Sequence, residues 1–166
     1  MKTIKRILVP TDFSEFSLAG MDYVISFSVL YDAQIFLLNV IDHEPTLTFH
    51  TVDLHSETLL RDNTRKAESY LSTIIEQKFQ NMRNILPMVR HGDPAKTIVK
   101  VAREEHVDLI IMATHGRTGL AHVLMGSVAE KVVRQSSIPV LTVKPEEVSE
   151  SVLREEDIEE QLHLRL

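Results

Sequence analysis

The 166-residue chain contains no cysteine, which excludes disulfide cross-links and thiolate catalysis and fits a reducing compartment. Long apolar runs are missing too. The stretch Ile7-Leu8-Val9 stops at Pro10, and nothing approaches the roughly 20 apolar residues that span a bilayer. No apolar stretch of leader length follows the charged start Met1–Arg6. The expectation is a soluble, cytoplasmic protein without membrane contact. Also absent is a surplus of basic charge, since the net charge is -6. No Lys/Arg stripe carries interleaved aromatics, so nucleic acid is not an expected partner. Two glycine-rich phosphate signatures are lacking as well. There is no G-x-x-x-x-G-K-[ST], the nearest run being Gly116-Arg117-Thr118-Gly119, and no G-x-G-x-x-G follows the first apolar run. The first absence leaves no P-loop, and the second argues against a standard dinucleotide site.

What is present divides the chain unequally. Residues 145–166 hold eight acids against two bases and account for all of the net charge, while the remaining 144 residues balance at 16 against 16. The body is neutral and the acidity belongs to an appendage. The length suits one domain with a single buried core, expected over residues 1–145, followed by an acidic extension over 146–166 with helical spacing at about Val148–Leu164.

The body alternates between strand and helix patterns. Ile4–Val9 reads as a first strand, and Ser14–Tyr31 as a helix whose face is Phe16, Ala19, Tyr23, Phe27 and Leu30. Gln34–Ile41 is nearly continuously apolar, the pattern of a strand covered on both faces. A long loop is expected over 42–55, then a helix at about Ser56–Gln80 with Leu60, Ala67, Leu71, Ile74 and the stem of Lys78 on its inner side. Ile85–Arg90 reads as a strand shortened by Pro87. Gly92-Asp93-Pro94 starts a helix to about Glu105 that buries Ile98, Val101 and Ala102, with Asp93 as cap and Pro94 in the first turn. Asp108–Thr114 reads as a central strand through Leu109-Ile110-Ile111-Met112-Ala113; a loop over 115–126, a helix from Val128 to about Gln135 and a strand at Ile138–Lys144 complete the order. This predicts an α/β fold, an open five-stranded parallel sheet with helices on both faces.

In such a sheet, Pro10-Thr11-Asp12 and the Gly116 and Gly126-Ser127 positions fall on one edge, where these folds bind ligands. A helix opening at Gly126-Ser127 offers unpaired amides and a positive dipole end to phosphates. The same Ser127-x-x-Glu130 is a capping box that satisfies the helix start by itself, and the sequence leaves both readings open. Asp12 either shapes the turn before Ser14 or accepts an adenine amino hydrogen beside Val9 or Val40. Gly116 lets a loop approach a ribose or phosphate closely. His115 either contacts such a ligand or fixes its loop, and Arg117 either neutralises phosphate or faces solvent. Met112 reads as core with one edge toward a ligand. His43, His50 and His55 match no standard metal spacing, and no metal site is expected from protein side chains.

These residues also form linked motifs. Ile7-Leu8-Val9-Pro10-Thr11-Asp12-Phe13-Ser14, Ala113-Thr114-His115-Gly116-Arg117-Thr118-Gly119-Leu120, Leu124-Met125-Gly126-Ser127-Val128-Ala129-Glu130 and Ile138-Pro139-Val140-Leu141-Thr142-Val143 together resemble the universal stress protein family. The resemblance covers residues 3–145. It implies a Rossmann-like fold of the adenine nucleotide alpha hydrolase-like kind. It is closest to the ATP-binding class, whose pattern G-x-x-G, nine residues, G-[ST] falls on Ala113, Gly116, Gly126 and Ser127. Ala113 departs from the first glycine and narrows the approach by a methyl group. The resemblance implies Thr11, Asp12 and Val40 around adenine and ribose, with His115, Gly116, Ser127 and Val128 nearer the phosphates. Pro10, Met112, Ala113, Arg117 and Gly126 complete the expected nucleotide-binding set. The implied cofactor is ATP, with AMP or ADP as alternatives and Mg2+ or Mn2+ entering through the phosphates. It also implies a homodimer through the fifth strand and a role in stress response.

Hydrolysis needs a positioned water and stabilised charge on the transferred phosphoryl group. The sequence assigns no carboxylate pair to a metal there, so a nucleotide-responsive regulator is expected rather than an enzyme, with weak ATP hydrolysis at most. A nucleotide-free interaction scaffold is the alternative. The acidic extension is a candidate contact for a protein partner.

Overall fold

The computed structural model describes residues 3–42, 54–80, 82–116 and 125–145. Five strands, β1 (Arg6–Pro10), β2 (Gln34–Ile41), β3 (Ile85–His91), β4 (Leu109–Ala113) and β5 (Val140–Val143), form one sheet in the order β3-β2-β1-β4-β5. Every neighbouring pair is parallel. The helices are α1 (Glu15–Leu18), α2 (Met21–Tyr31), α3 (Leu54–Lys78), α4 (Pro94–Glu104) and α5 (Ser127–Gln135). The expected open parallel α/β sheet is present.

The continuous apolar runs arise because successive side chains enter two separate cores. Leu8, Phe36, Leu38, Ile110 and Met112 pack with α4 and α5 through Ile98, Val101, Ala102, Ala129 and Val132. Ile7, Val9, Ile35, Leu37 and Ile111 pack with α2 and α3 through Met21, Val24, Leu71 and Ile74. Among the described residues no helix is long and apolar enough to cross a membrane.

Several expected elements are corrected. The single helix over Ser14–Tyr31 is broken into α1 and α2 with Gly20 between them. The break resets the phase: Met21, Val24 and Ser28 are the buried side, while Tyr23 and Leu30, expected inside, are 52 % and 73 % exposed. Pro87 does not shorten its strand. It sits within β3 in register with Leu37, tolerated because β3 is an edge strand. On α3, Ala67, Leu71 and Ile74 are buried as expected, but Leu60 lies at the exposed margin and Phe79, beyond the helix end, takes the core position expected of the Lys78 stem. His43, His50, Arg117 and the acidic extension with its expected helix lie outside the described residues.

Candidate functional site

In the strand order β3-β2-β1-β4-β5, the chain leaves β1 toward β2 but leaves β4 toward β5. The connections diverge between β1 and β4, and ligands bind such sheets in the crevice at that switch point, beyond the carboxyl ends of the strands. A cavity of about 400 Å³ lies there, within the usual range of small-molecule sites. Pro10, Thr11 and Asp12 line it from the end of β1, and Val40 from β2. Met112, Ala113, His115 and Gly116 line it from β4, and Gly126, Ser127 and Val128 from the start of α5. The structure thus brings together every expected site residue that it describes.

The turn after β1 is held from several sides. Thr11 donates its backbone N–H to the Leu38 carbonyl (2.8 Å), and its own carbonyl accepts from Asn39 Nδ2 (2.9 Å). Thr11 Oγ1 accepts from the Phe13 N–H (3.1 Å) and shares a hydrogen with Ser17 Oγ at 2.8 Å. Asp12 Oδ1 accepts from both the backbone N–H (3.0 Å) and the hydroxyl (2.6 Å) of Ser14, while Ser14 Oγ caps α1 by accepting from the Ser17 N–H (3.2 Å). The turn-shaping role of Asp12 is therefore realised. Phe13 sits at a φ of 69°, uncommon for a residue with a side chain, and its ring packs against Tyr70 with centroids 5.3 Å apart.

Across the cavity, Thr114 ties two elements together. Its N–H donates to the Val143 carbonyl at the end of β5 (2.9 Å), and its carbonyl accepts from the Gly126 N–H (2.7 Å). Its hydroxyl lies 2.8 Å from His115 Nδ1, so the loop-fixing contact of His115 is present. Gly126 is the N-cap of α5 with an ordinary extended backbone, φ -67° and ψ 155°. What calls for glycine there is space: a Cβ would lie 3.1 Å from the Thr114 carbonyl oxygen. At Gly116 a Cβ would collide with the carboxylate of Asp12, so the first turn and the fourth crossover touch.

The capping box does not form. Ser127 is the first helical residue rather than the cap, and Glu130 pairs with Arg134 at 2.6 Å. The first intrahelical bond runs from the Glu130 N–H to the Gly126 carbonyl, so the amides of Ser127, Val128 and Ala129 have no acceptor within the helix. The other helix bordering the cavity differs. Asp93 Oδ1 accepts from the Lys96 N–H (2.8 Å), and Pro94 occupies the first turn of α4. One helix start is closed by a carboxylate and the other is open to an anion. The two helix starts that border the cavity therefore differ in what they offer an anion.

Residues Asn39, Ser17, Thr114, Pro94, Ile98 and Asp42 contribute to the site or its supports without having been singled out. Asn39 carried a signal, as the one polar residue inside the run Ile35–Ile41; it is 3 % exposed and holds the Thr11 carbonyl.

Residues 3–144 match the model of the universal stress protein family. The chain belongs to the universal stress protein family. Universal stress protein MJ0577 of Methanocaldococcus jannaschii is 35 % identical over 155 residues, covering 84 % of this chain and 94 % of that protein. Its solved structure gives a TM-score of 0.78 at 34 % identity, covering 87 % of this chain and 99 % of that one. Universal stress protein MJ0531 of the same organism is 34 % identical over 143 residues, covering 84 % of this chain and 82 % of that protein. A family member from Arabidopsis thaliana, solved with AMP bound, shares the fold at 17 % identity and a TM-score of 0.60, over 86 % of this chain and 93 % of that one.

Proposed function

We propose that this universal stress protein binds an adenine nucleotide, ATP or its shorter forms AMP and ADP, and acts as a nucleotide-responsive regulator in stress response. The observation that carries the reading is the pairing of a bare helix start, Gly126 to Val128, with an apolar slot between Val40, Met112 and Ile98 in one cavity of about 400 Å³. The phosphates lie against the free amides and the Ser127 hydroxyl, with His115 beside them and Arg117 two residues further along the chain. The base enters between β2 and α4, where the carboxylate of Asp93 already closes the helix start and disfavours a phosphate. Asp12 and Gly116 stand midway, beside the sugar. That an Arabidopsis family member of the same fold was solved with AMP bound supports an adenine nucleotide as the ligand class.

Among the described residues no three His, Asp or Glu side chains converge to hold a metal ion. Mg2+ or Mn2+ accompanying ATP would be bound by phosphate oxygens and water, with the Ser127 hydroxyl within the same neighbourhood.

The readout proposed is assembly. Strand β5 is an edge of the sheet and all four of its residues are only half-buried, a surface that a second copy would cover in a two-fold homodimer. Thr114 is bonded both to Val143 of β5 and to Gly126 at the proposed phosphate end, so a shift of α5 on loading is transmitted to that edge through one residue.

Heat-denaturing freshly purified protein and separating the released small molecules is expected to yield an adenine nucleotide, and calorimetric titration of stripped protein with ATP to give saturable binding. An empty release together with a flat titration supports the scaffold alternative and rejects the proposal. Sedimentation of stripped protein is expected to show a dimer dissociation constant at least about fivefold different with and without ATP, the lower end of ordinary coupling; equal constants reject the coupling through Thr114.

A further inference from the structure

We infer that Asp42 is the residue that selects the base, its carboxylate accepting a hydrogen from the exocyclic amino group of a purine at the far end of the cavity. The inference rests on the proposed nucleotide site and deepens it. Asp42 follows the last residue of β2 directly and lines the cavity. Its side chain is exposed and makes no hydrogen bond or ion pair among the described residues. The position is fixed on its strand, since Ile41 is in register with His91 and its carbonyl accepts from the Gly92 N–H at 3.0 Å.

Orientation follows from the two helix starts. With the phosphates on the open amides of α5, beside β4, the nucleotide must run across β1 toward β2, because the sheet order there is β2-β1-β4. Two strand spacings are roughly 10 Å, comparable to the reach from a 5′-phosphate to the far edge of an adenine ring. That edge carries the amino group and arrives beside Val40 and Asp42. The rival carboxylate in the cavity, Asp12, is committed through Oδ1 to two hydrogens of Ser14 and faces Gly116 through Oδ2. It lies too near the β4 side to read the base.

The chemistry then discriminates by what stands at the sixth position of the purine. An amino group donates to a carboxylate, whereas a carbonyl oxygen there repels it, and an ionised acceptor left facing an acceptor is penalised more than a lost neutral contact. Replacing the Asp42 carboxylate by an amide would reverse the preference in part, because an amide can rotate to donate.

The test is calorimetric titration of the full chain and of its Asp42→Asn variant with ATP, ITP and GTP. The wild type is expected to bind ATP at least about tenfold more tightly than ITP, and the variant to lose about tenfold for ATP while holding or gaining affinity for ITP. Parallel changes for ATP and ITP, no change for either, or tighter binding of GTP than of ATP by the wild type overturns the assignment and leaves the nucleotide site standing. Failure of the wild type to bind any of the three overturns the underlying site and the assignment together.

Discussion

Exchanging Gly116 for alanine is expected to weaken ATP binding by at least about thirtyfold. The added methyl group would occupy the position of the Asp12 carboxylate. That carboxylate is not free to swing aside, because two hydrogens of Ser14 hold it and Ser14 in turn caps α1. Moving it breaks charge-assisted hydrogen bonds worth about 1.5–3 kcal/mol each, and each 1.4 kcal/mol transferred to the binding step is about tenfold in affinity. It also pushes the β1 and β4 sides of the cavity apart at the point proposed for the sugar. Calorimetric titration of the variant against wild type measures the loss directly, with far-UV circular dichroism checking that the sheet is intact. An affinity within twofold of wild type would show that the approach of Gly116 to Asp12 does not shape the cavity.

Truncating Ile110 to alanine is expected to be the most damaging single change to stability, costing about 3–5 kcal/mol. Its side chain is 0 % exposed on β4, between Leu8 of β1 and Val140 of β5 in register, and joins the core beneath α4 and α5. Neighbours on both strands fix the surrounding backbone, so the vacated space cannot collapse. Against a total stability of about 5–15 kcal/mol, the loss lowers the melting temperature by roughly 10 °C for a chain of this size. Urea denaturation followed at the helix signal gives the difference. A value below about 1 kcal/mol would mean that this region of the sheet is loosely packed.

The sheet was legible in the sequence because burial on both faces leaves an unusual mark: Ile35–Ile41 and Leu109–Ala113 are apolar at almost every position, which neither a helix at this length nor a half-exposed strand requires. The gathering of the candidate site's residues around one cavity was legible for a different reason. Its residues sit at strand ends and helix starts, and the topology brings such positions to one edge. What failed were local decisions that tertiary contacts make. Ser127-x-x-Glu130 has the spacing of a capping box, yet Gly126 takes the cap position and Glu130 turns outward to Arg134. Periodicity carried a helix through Gly20, where the chain breaks and the inward face is reset to Met21, Val24 and Ser28. Asn39 and Asp42 went unmarked as site residues because a polar residue in or after a strand acquires a role only from its neighbours: the Thr11 carbonyl in one case, the cavity in the other.

Pro87 blunts one of the two sheet edges. The sheet has two outer strands, and a chain able to extend itself at both would grow without end, each added copy offering a fresh template. Only β5 presents an uninterrupted run of amides, whereas β3 carries an imino residue at its third position. If two copies pair through β5 as proposed, strand addition is expected to stop at that pair, because the outer edge left on each copy is the one interrupted by Pro87.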